Sequence, residues 1–437
     1  MVSLKKYQNK KIAVYGMGLT GLSAAKKFKL LKAKVFCWDD SKKIRKKISK
    51  LKFKVEKFWL KESKNTIDFI LLSPGIDINK CKIKSYLKKN FNKIITDLDL
   101  FFELNNKSLI ISITGTNGKS TTCKIIEKIL KTAGYHVNTV GNIGKPILTI
   151  NKTKKKIIFI LEVSSYQLQY SKIFRSKHAA ILNISPDHLE RHKNIKNYML
   201  AKSKIFYAQK EGDYSYINKA DIRSKFIKMI HKNKKIKSKL ISVDKNSCNF
   251  LFAENKYFKS RGYLENLAFA YNIAKKFKIK NKTIIRALNK FKGLPHRQEI
   301  VFSNKKLICV NDSKATSFDA CKQSLSNFRK IYWIVGGLPK YGDRFNLDKN
   351  SNKIIKAYII GKNTSFFERQ IGKKIPYTIS RNLKKAVIDI SSDIKKDKYF
   401  GCTILFSPAA ASFDQFSNFE DRGNFFKKLS MKKFKKI

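Results

Sequence analysis

Short apolar runs recur along the chain, each closing on glycine, serine or proline and each followed by apolar residues at three- and four-residue spacing. Runs of roughly four to eight residues bounded by turn signals predict buried strands, and the wider spacing predicts helices packed over them. A strand at 11–15 runs into Gly16-Met17-Gly18-Leu19-Thr20-Gly21. A helix to about 31 follows, and a second strand at 33–38 ends at Asp39. A strand at 68–72 then meets the rigid turn Ser73-Pro74-Gly75. The alternation restarts after the polar Asn105-Asn106-Lys107, with a strand at 109–114, the loop Gly115–Thr121 and a helix over 120–133. Strands at 157–163 and 179–183, helices at 195–208, 264–277 and 283–291, and the linker Gly293–Arg297 complete this second unit. Residues 210–261 are too lysine-rich and aperiodic to assign. Strands at 307–311, 331–335 and 403–406 make a third. Repeated strand–loop–helix units predict an α/β protein with parallel sheets.

Length and charge narrow the class. A chain of 437 residues has room for several domains, and 43% hydrophobic with 12% aromatic residues excludes a disordered chain despite a net charge of +64. No apolar run reaches the roughly 18 residues of a membrane span, and 1–11 lacks the apolar core of a secretory signal, so a cytoplasmic protein is expected. The seven cysteines are scattered without a CxxC pair, which excludes a disulfide framework and a cysteine zinc site; they read as buried thiols. Lysines are spread over linkers, helix faces and the tail rather than gathered in one patch. A solvated basic surface is therefore expected, not a specific nucleic-acid site.

Three loops carry chemistry. Gly16–Gly21 allows close backbone approach to a diphosphate at a helix N-terminus, and an acid after the next strand can accept from a ribose hydroxyl; a plain strand-to-helix turn is the alternative. Gly115-Thr116-Asn117-Gly118-Lys119-Ser120-Thr121 ends like a Walker A loop, although that pattern's first glycine would fall at Ile113. It supplies backbone N–H groups, a lysine for the β- and γ-phosphates of ATP and hydroxyls for Mg²⁺. Glu162, at the end of its strand, reads as a magnesium ligand or as a loop acid beside Ser164-Ser165. His188 and Lys202 have bland readings of their own, as a surface histidine and a solvated helix lysine.

In order along the chain, Gly115–Thr121, Glu162-Val163-Ser164-Ser165, Asn183 through His188, Gly293–Arg297 and Asp312–Thr316 resemble the motifs of the Mur ligases, ATP-dependent amide-forming enzymes of bacterial cell-wall synthesis. Within that family, Leu294–Arg297, Asn311–Thr316 and especially Ser407–Phe416 with Asn418-Phe419-Glu420 are similar to the D-glutamate-adding members. The resemblance implies three domains, at 1–105 for the UDP-substrate, 106–298 for ATP and 299–437 for the amino acid. The first and last would be Rossmann-like and the central one a P-loop ATPase. It also implies roles. Leu19, Thr20, Asp39, Asp40, Ser73 and Asn142 would surround the UDP-substrate, UDP-N-acetylmuramoyl-L-alanine. Gly115 through Thr121, Asn266, Arg297 and Asp312 would hold ATP. Ser120, Thr121, Glu162, His188 and a carbamylated Lys202 would hold Mg²⁺, with Lys119, His188 and Lys202 catalytic. Lys314, Thr316, Lys340, Ser412 and Phe419 would frame D-glutamate. A monomer is expected. Another Mur-type ligase or a folylpolyglutamate synthase-like ligase is the alternative. Two places depart from the family pattern: Gly262-Tyr263 stands where a His-Asn pair is usual, and Leu338-Pro339 where an acidic-glycine turn is usual.

Overall fold

The computed structural model describes residues 5–60, 66–141, 146–149, 157–251, 261–340, 342–345, 352–372, 374–397 and 401–435. Asn142, expected at the UDP-substrate, lies outside the described residues. Three sheets follow one another along the chain.

The first sheet contains β1 (Lys11–Tyr15), β2 (Lys34–Trp38), β3 (Lys54–Val55), β4 (Phe69–Leu72) and β5 (Ile94–Ile95), in the order β3-β2-β1-β4-β5 with every pairing parallel. The second contains β6 (Leu109–Thr114), β7 (Val137–Gly141), β8 (Ile158–Glu162), β9 (His178–Ile181), β10 (Tyr214–Asn218) and β11 (Lys239–Val243), in the order β11-β10-β9-β6-β8-β7, also all parallel. The third contains β12 (Glu299–Ser303), β13 (Leu307–Asn311), β14 (Ile331–Gly336), β15 (Ile354–Ile360), β16 (Tyr377–Arg381) and β17 (Cys402–Phe406), in the order β12-β13-β17-β14-β15-β16; here only β12 runs antiparallel to its neighbour. Parallel strands buried on both faces read as continuous apolar runs. That is why β6 (LIISIT), β8 (IFILE) and β17 (CTILF) are legible from sequence.

In β1 and β6 the strand that enters a glycine loop is interior to its sheet, with later strands on both sides. Chain connections therefore diverge to either side of it, and the crevice at its carboxyl end is where open α/β sheets place ligands. The unassigned stretch 210–261 holds β10, β11 and the helix Ser224–Asn233.

Two compact units emerge from the packing: Met1–Lys259 with Tyr263–Phe291, and Ser260–Gly262 with Lys292–Ile437. The first unites two sheets through the helix Asp97–Asn105, opened by a capping box in which Thr96 and Asp99 bond reciprocally. Asp99 also accepts from the Ser171 hydroxyl at 2.7 Å and from the backbone N–H groups of Lys172, Ile173 and Phe174 at 3.0–3.2 Å. Gln167 donates to Asp97 at 2.8 Å, and Arg191 donates to the Ile76 carbonyl at 2.6 Å. Side chains of the central sheet thus reach the ligand turn of the first. Six cysteines are buried as expected; Cys81 is a correction, being partly exposed.

Candidate active site

In the first sheet, β1 ends where Gly16 takes φ +89°, a conformation open to glycine, and Ser73 donates to its carbonyl oxygen at 2.6 Å. A Cβ on Gly21 would overlap that same oxygen, so the helix Leu19–Leu30 can start this close only with glycine there. Asp39 accepts from the Met17 N–H at 2.7 Å and from Ser41 N–H at 2.9 Å, and Asp40 from the Tyr15 hydroxyl at 2.8 Å. The other carboxylate oxygen of Asp40 is buried without a partner among the described residues. Leu19 is 79% exposed and Thr20 half-buried at the helix start. Leu19, Thr20, Asp39, Asp40 and Ser73 are therefore gathered at one strand end.

The second sheet gathers more. Gly115 has φ +155° and Gly118 φ +82°, and Gly118 precedes the helix Lys119–Thr132 without a side-chain cap. Uncapped N–H groups at a helix start suit a phosphate. The loop is gripped from several elements. The Asn183 side chain accepts from Asn117 N–H at 2.8 Å and donates to the Asn117 carbonyl at 3.2 Å. Thr116 bonds Ser185 and lies 3.2 Å from the Tyr198 hydroxyl. Asn266, on the helix Arg261–Lys276, accepts from the Thr122 hydroxyl at 3.2 Å and occupies the space a Cβ on Gly118 would need. The structure thus sets Asn266 on the phosphate loop itself.

Lys119 folds back to donate to the carbonyls of Gly115 and Thr116, each at 2.8 Å. Ser120 donates to the buried Glu162 carboxylate at 2.6 Å, and Thr121 is buried one residue on. Hard oxygen donors of this kind suit Mg²⁺, which takes few protein ligands and completes its octahedron with water and phosphate. No cluster of three or more His, Cys, Asp or Glu side chains forms among the described residues. Ser120 and Glu162, a hydroxyl and a carboxylate side by side at the start of the phosphate loop's helix, are a donor set that fits Mg²⁺.

Lys202 is 2% exposed, donates to the Gly115 carbonyl at 2.9 Å and lies 4.5 Å from the centroid of the Tyr198 ring. Burial first, and the nearby Lys119 charge second, hold its amine well below the usual lysine range. The solvated-face reading of this lysine is overturned. His188 adopts φ +55° at the start of the short helix Leu189–His192. Its Nδ1 lies 2.8 Å from the Tyr166 hydroxyl, and its ring packs against Tyr198 at 6.5 Å. Tyr198 thus touches the surroundings of Thr116, His188 and Lys202 together. Sequence reasoning missed Tyr166 and Tyr198, whose roles arise only from tertiary contact, and left Asn183 inside a motif without a role, although its place after a buried strand was a usable signal.

The second compact unit assembles its own cluster. Lys314 lies 3.7 Å from the centroid of the Phe419 ring. Ser412 is buried in the loop after β17, Thr316 follows β13 at intermediate exposure, and Lys340 follows β14. Asp312 is buried, accepting from Ser324 at 2.5 Å, Ser407 at 2.9 Å and the Gln298 N–H at 3.2 Å; burial pushes its carboxyl up to about 6. Arg297 pairs with Leu294 across a tight turn.

These features define an α/β nucleotide-dependent enzyme with three successive sheets and a phosphate loop at the central one. Residues 113–285 match the Mur ligase middle domain, and residues 10–95 match the Mur ligase MurD-like N-terminal domain. The chain is 35% identical to a UDP-N-acetylmuramoylalanine--D-glutamate ligase of Rickettsia felis, covering 99% of this chain and 100% of the relative. A protein of the same description from a Wolbachia of Brugia malayi is 33% identical, over 97% of each chain. The chain belongs to the Mur ligase family, and the three-domain architecture of that family is its own. Among solved structures, a MurF ligase of Thermotoga maritima in complex with ADP aligns at a TM-score of 0.58 and 16% identity, covering 98% of this chain and 97% of that one. MurC of the same organism aligns at 0.56 and 14% identity, covering 97% and 99%. Those two likenesses concern the fold alone.

Proposed function

We infer that the chain is an ATP-dependent carboxylate–amine ligase that joins D-glutamate to UDP-N-acetylmuramoyl-L-alanine in the assembly of peptidoglycan precursors. The observation that carries this reading is likeness at 30–35% identity, along nearly the whole chain, to proteins described as D-glutamate ligases. The Ser407–Phe419 segment supports the choice of amino acid. Three sheets spanning 11–95, 109–243 and 299–406 support domains at 1–105, 106–298 and 299–437.

A carboxylate does not react with an amine at neutral pH. The alanyl carboxylate oxygen therefore attacks the γ-phosphorus of ATP, and the bond from that phosphorus to the β,γ-bridging oxygen breaks, leaving ADP and an acyl phosphate. The D-glutamate amine then attacks the acyl carbon, inorganic phosphate leaves, and the amine releases a proton. The phosphoryl step demands positioning and charge neutralisation more than covalent help. Lys119 would leave the two loop carbonyls to reach the β- and γ-phosphates, while the N–H groups at the start of its helix take the remaining oxygens. Ser120, Thr121, Glu162 and His188 would hold Mg²⁺, which when bound neutralises charge on the transferring group. Lys314 and Ser412 would receive carboxylates of D-glutamate, a cation and a hydroxyl donor set beside Phe419. The +64 charge has no part in this chemistry, and the reaction needs no nucleic acid. Among the described residues no helix is long and apolar enough to cross a membrane. We place the reaction in the cytoplasm with a monomeric enzyme.

Lys202 belongs to the same assignment. Burial favours the neutral form of its amine, the form that attacks carbon dioxide, and the resulting carbamate would give an anionic oxygen donor where an ammonium would repel a metal. Carbon NMR after incubation with labelled bicarbonate should show one carbamate signal that is absent in Lys202→Arg. A fully active enzyme without that signal would remove the carbamate and leave the ligase reading standing.

The reading is tested by phosphate release from ATP with UDP-N-acetylmuramoyl-L-alanine and each of D-glutamate, L-lysine and meso-diaminopimelate. Turnover should require D-glutamate; equal turnover with either of the others would favour another Mur-type ligase, and turnover with a folate substrate would favour the folylpolyglutamate type.

A further inference from the structure

Arg422 is among the largest fully buried side chains, 1% exposed, on the helix Phe419–Phe434. Among the described residues no carboxylate touches it directly, although the charge of Asp414 acts on it from further away. Its Nε donates to the Ser313 hydroxyl at 3.1 Å, and its Nη2 donates to the carbonyls of Ser313 and Ala410 at 2.8 and 2.9 Å. The Ser313 hydroxyl passes the link on, donating to the Phe419 carbonyl at 2.9 Å. Nη1 is buried without a partner and lies on the side of Gly337, where a Cβ would sit 3.3 Å from it. Burial draws this guanidinium down to about 10, against an ordinary value of 12.5. A buried cation held by two carbonyls and a hydroxyl rather than by a carboxylate in direct contact, with one nitrogen orphaned, is a costly arrangement that packing alone does not explain.

The position of the fork supplies a reason. Ser313 precedes Lys314, Ala410 stands two residues before Ser412, Gly337 three residues before Lys340, and Phe419 lies one helical turn before Arg422. One side chain therefore bonds the loops after β13 and β17, lies on the side of Gly337 in the loop after β14, and reaches the start of the last helix through Ser313. Those four segments carry the residues assigned above to the amino acid. Resting on that assignment, we propose that Arg422 is the positioning residue of the amino-acid pocket, fixing the spacing of the Lys314, Ser412 and Phe419 segments and lending them a buried positive charge, only partly offset by Asp414, that favours an acidic amino acid. Planarity matters: a forked donor fixes two carbonyls and a hydroxyl at once, whereas an ammonium on a flexible stem supplies charge without that geometry. The charge acts because a buried cation is poorly screened by solvent.

The test is steady-state kinetics of Arg422→Met and Arg422→Lys beside the wild type, with D-glutamate and D-glutamine as competing amines. Arg422→Met should raise the KM for D-glutamate about tenfold or more, leave the KM for ATP and for the UDP-substrate within about twofold, and cut the preference for D-glutamate over D-glutamine by a similar factor. Arg422→Lys should restore that preference while recovering only part of kcat. A folded Arg422→Met with unaltered D-glutamate KM and preference, or with all three KM values rising together, would overturn the proposal. Should that variant not fold, Ser313→Ala removes the hydroxyl between Arg422 and Phe419, and it should raise the D-glutamate KM alone; an unchanged KM there overturns the proposal equally. A wild type indifferent to D-glutamate would instead refute the functional reading, a distinguishable failure.

Discussion

Two glycine loops sit at the ends of interior strands in neighbouring parallel sheets, and they differ in what their glycines make room for. After β1, Gly21 leaves space for the carbonyl oxygen of Gly16, so the loop closes on itself, and it is braced by Asp39 and Ser73 from adjoining strands. After β6, Gly118 leaves space for Asn266, a side chain from a helix 144 positions on from Thr122, which it also bonds. Both following helices start without a side-chain cap, so both present N–H groups to an anion. Only the second carries a lysine in the loop itself, Lys119, followed by a hydroxyl that donates to a carboxylate, Ser120 to Glu162, whereas Asp39 at the first accepts from a backbone N–H. The comparison separates holding a phosphate from moving one: backbone N–H groups suffice for the first, and the second needs charge placed where the transferring group develops it.

The sharpest way to break this comparison is Lys119→Ala. Removing the one cation of the central loop should lower kcat by about a hundredfold to a thousandfold while the UDP-substrate still binds, because the loss falls on the transition state. Phosphate release and substrate titration together would decide it. A variant retaining near-normal turnover would make the central loop a binding loop like its neighbour.

A second, smaller effect separates the glycines. Gly21→Ala drives a methyl group into the Gly16 carbonyl, a backbone atom that cannot swing aside, and should cost about 1–3 kcal/mol of stability. Gly18→Ala meets nothing within 4 Å and has an ordinary φ of −66°, so its stability should remain within about 1 kcal/mol of wild type. Urea melts of both variants check this. Equal losses would show that the helix start, not the close approach, requires glycine.

Much of this frame was legible in the sequence because it rests on uninterrupted apolar strands. The runs at 11–15, 109–114 and 307–311 coincide with β1, β6 and β13. The stretch 210–261 was not legible, for two physical reasons. β10 is largely buried but carries polar residues: Ser215 donates to Gln209 at 2.6 Å and lies 2.8 Å from the Ser238 hydroxyl, so a buried strand reads as a polar one. The helix Ser224–Asn233 hides Ile227 and Ile230 among lysines on its solvent face. At the site, residue types at strand ends announced Lys119, Ser120 and Glu162. The grips of Asn183, Tyr198 and Arg422 depend on distant segments meeting, which a pattern along one chain does not encode.

The helix Asp97–Asn105, between the two glycine loops, offers the smallest and most pH-dependent effect. Asp97 is 2% exposed; Gln167 satisfies one carboxylate oxygen at 2.8 Å, and the other has no partner among the described residues. Burial pushes its carboxyl up to about 6 from an ordinary 3.8. The folded chain therefore binds an extra proton between about pH 4 and pH 6, and stability falls as pH rises through that window, then stays low above it. Asp97→Asn keeps an oxygen for Gln167 and removes the buried charge, although its amide adds a donor that must find a partner. The net gain at pH 8 should be about 1 kcal/mol, less than the full charge penalty because of that donor. At pH 4.5 the wild-type carboxyl is already protonated in the folded state, and the gain should vanish or change sign. Thermal melts at the two pH values measure the difference directly. A gain of equal size at both would mean that Asp97 carries no burial penalty.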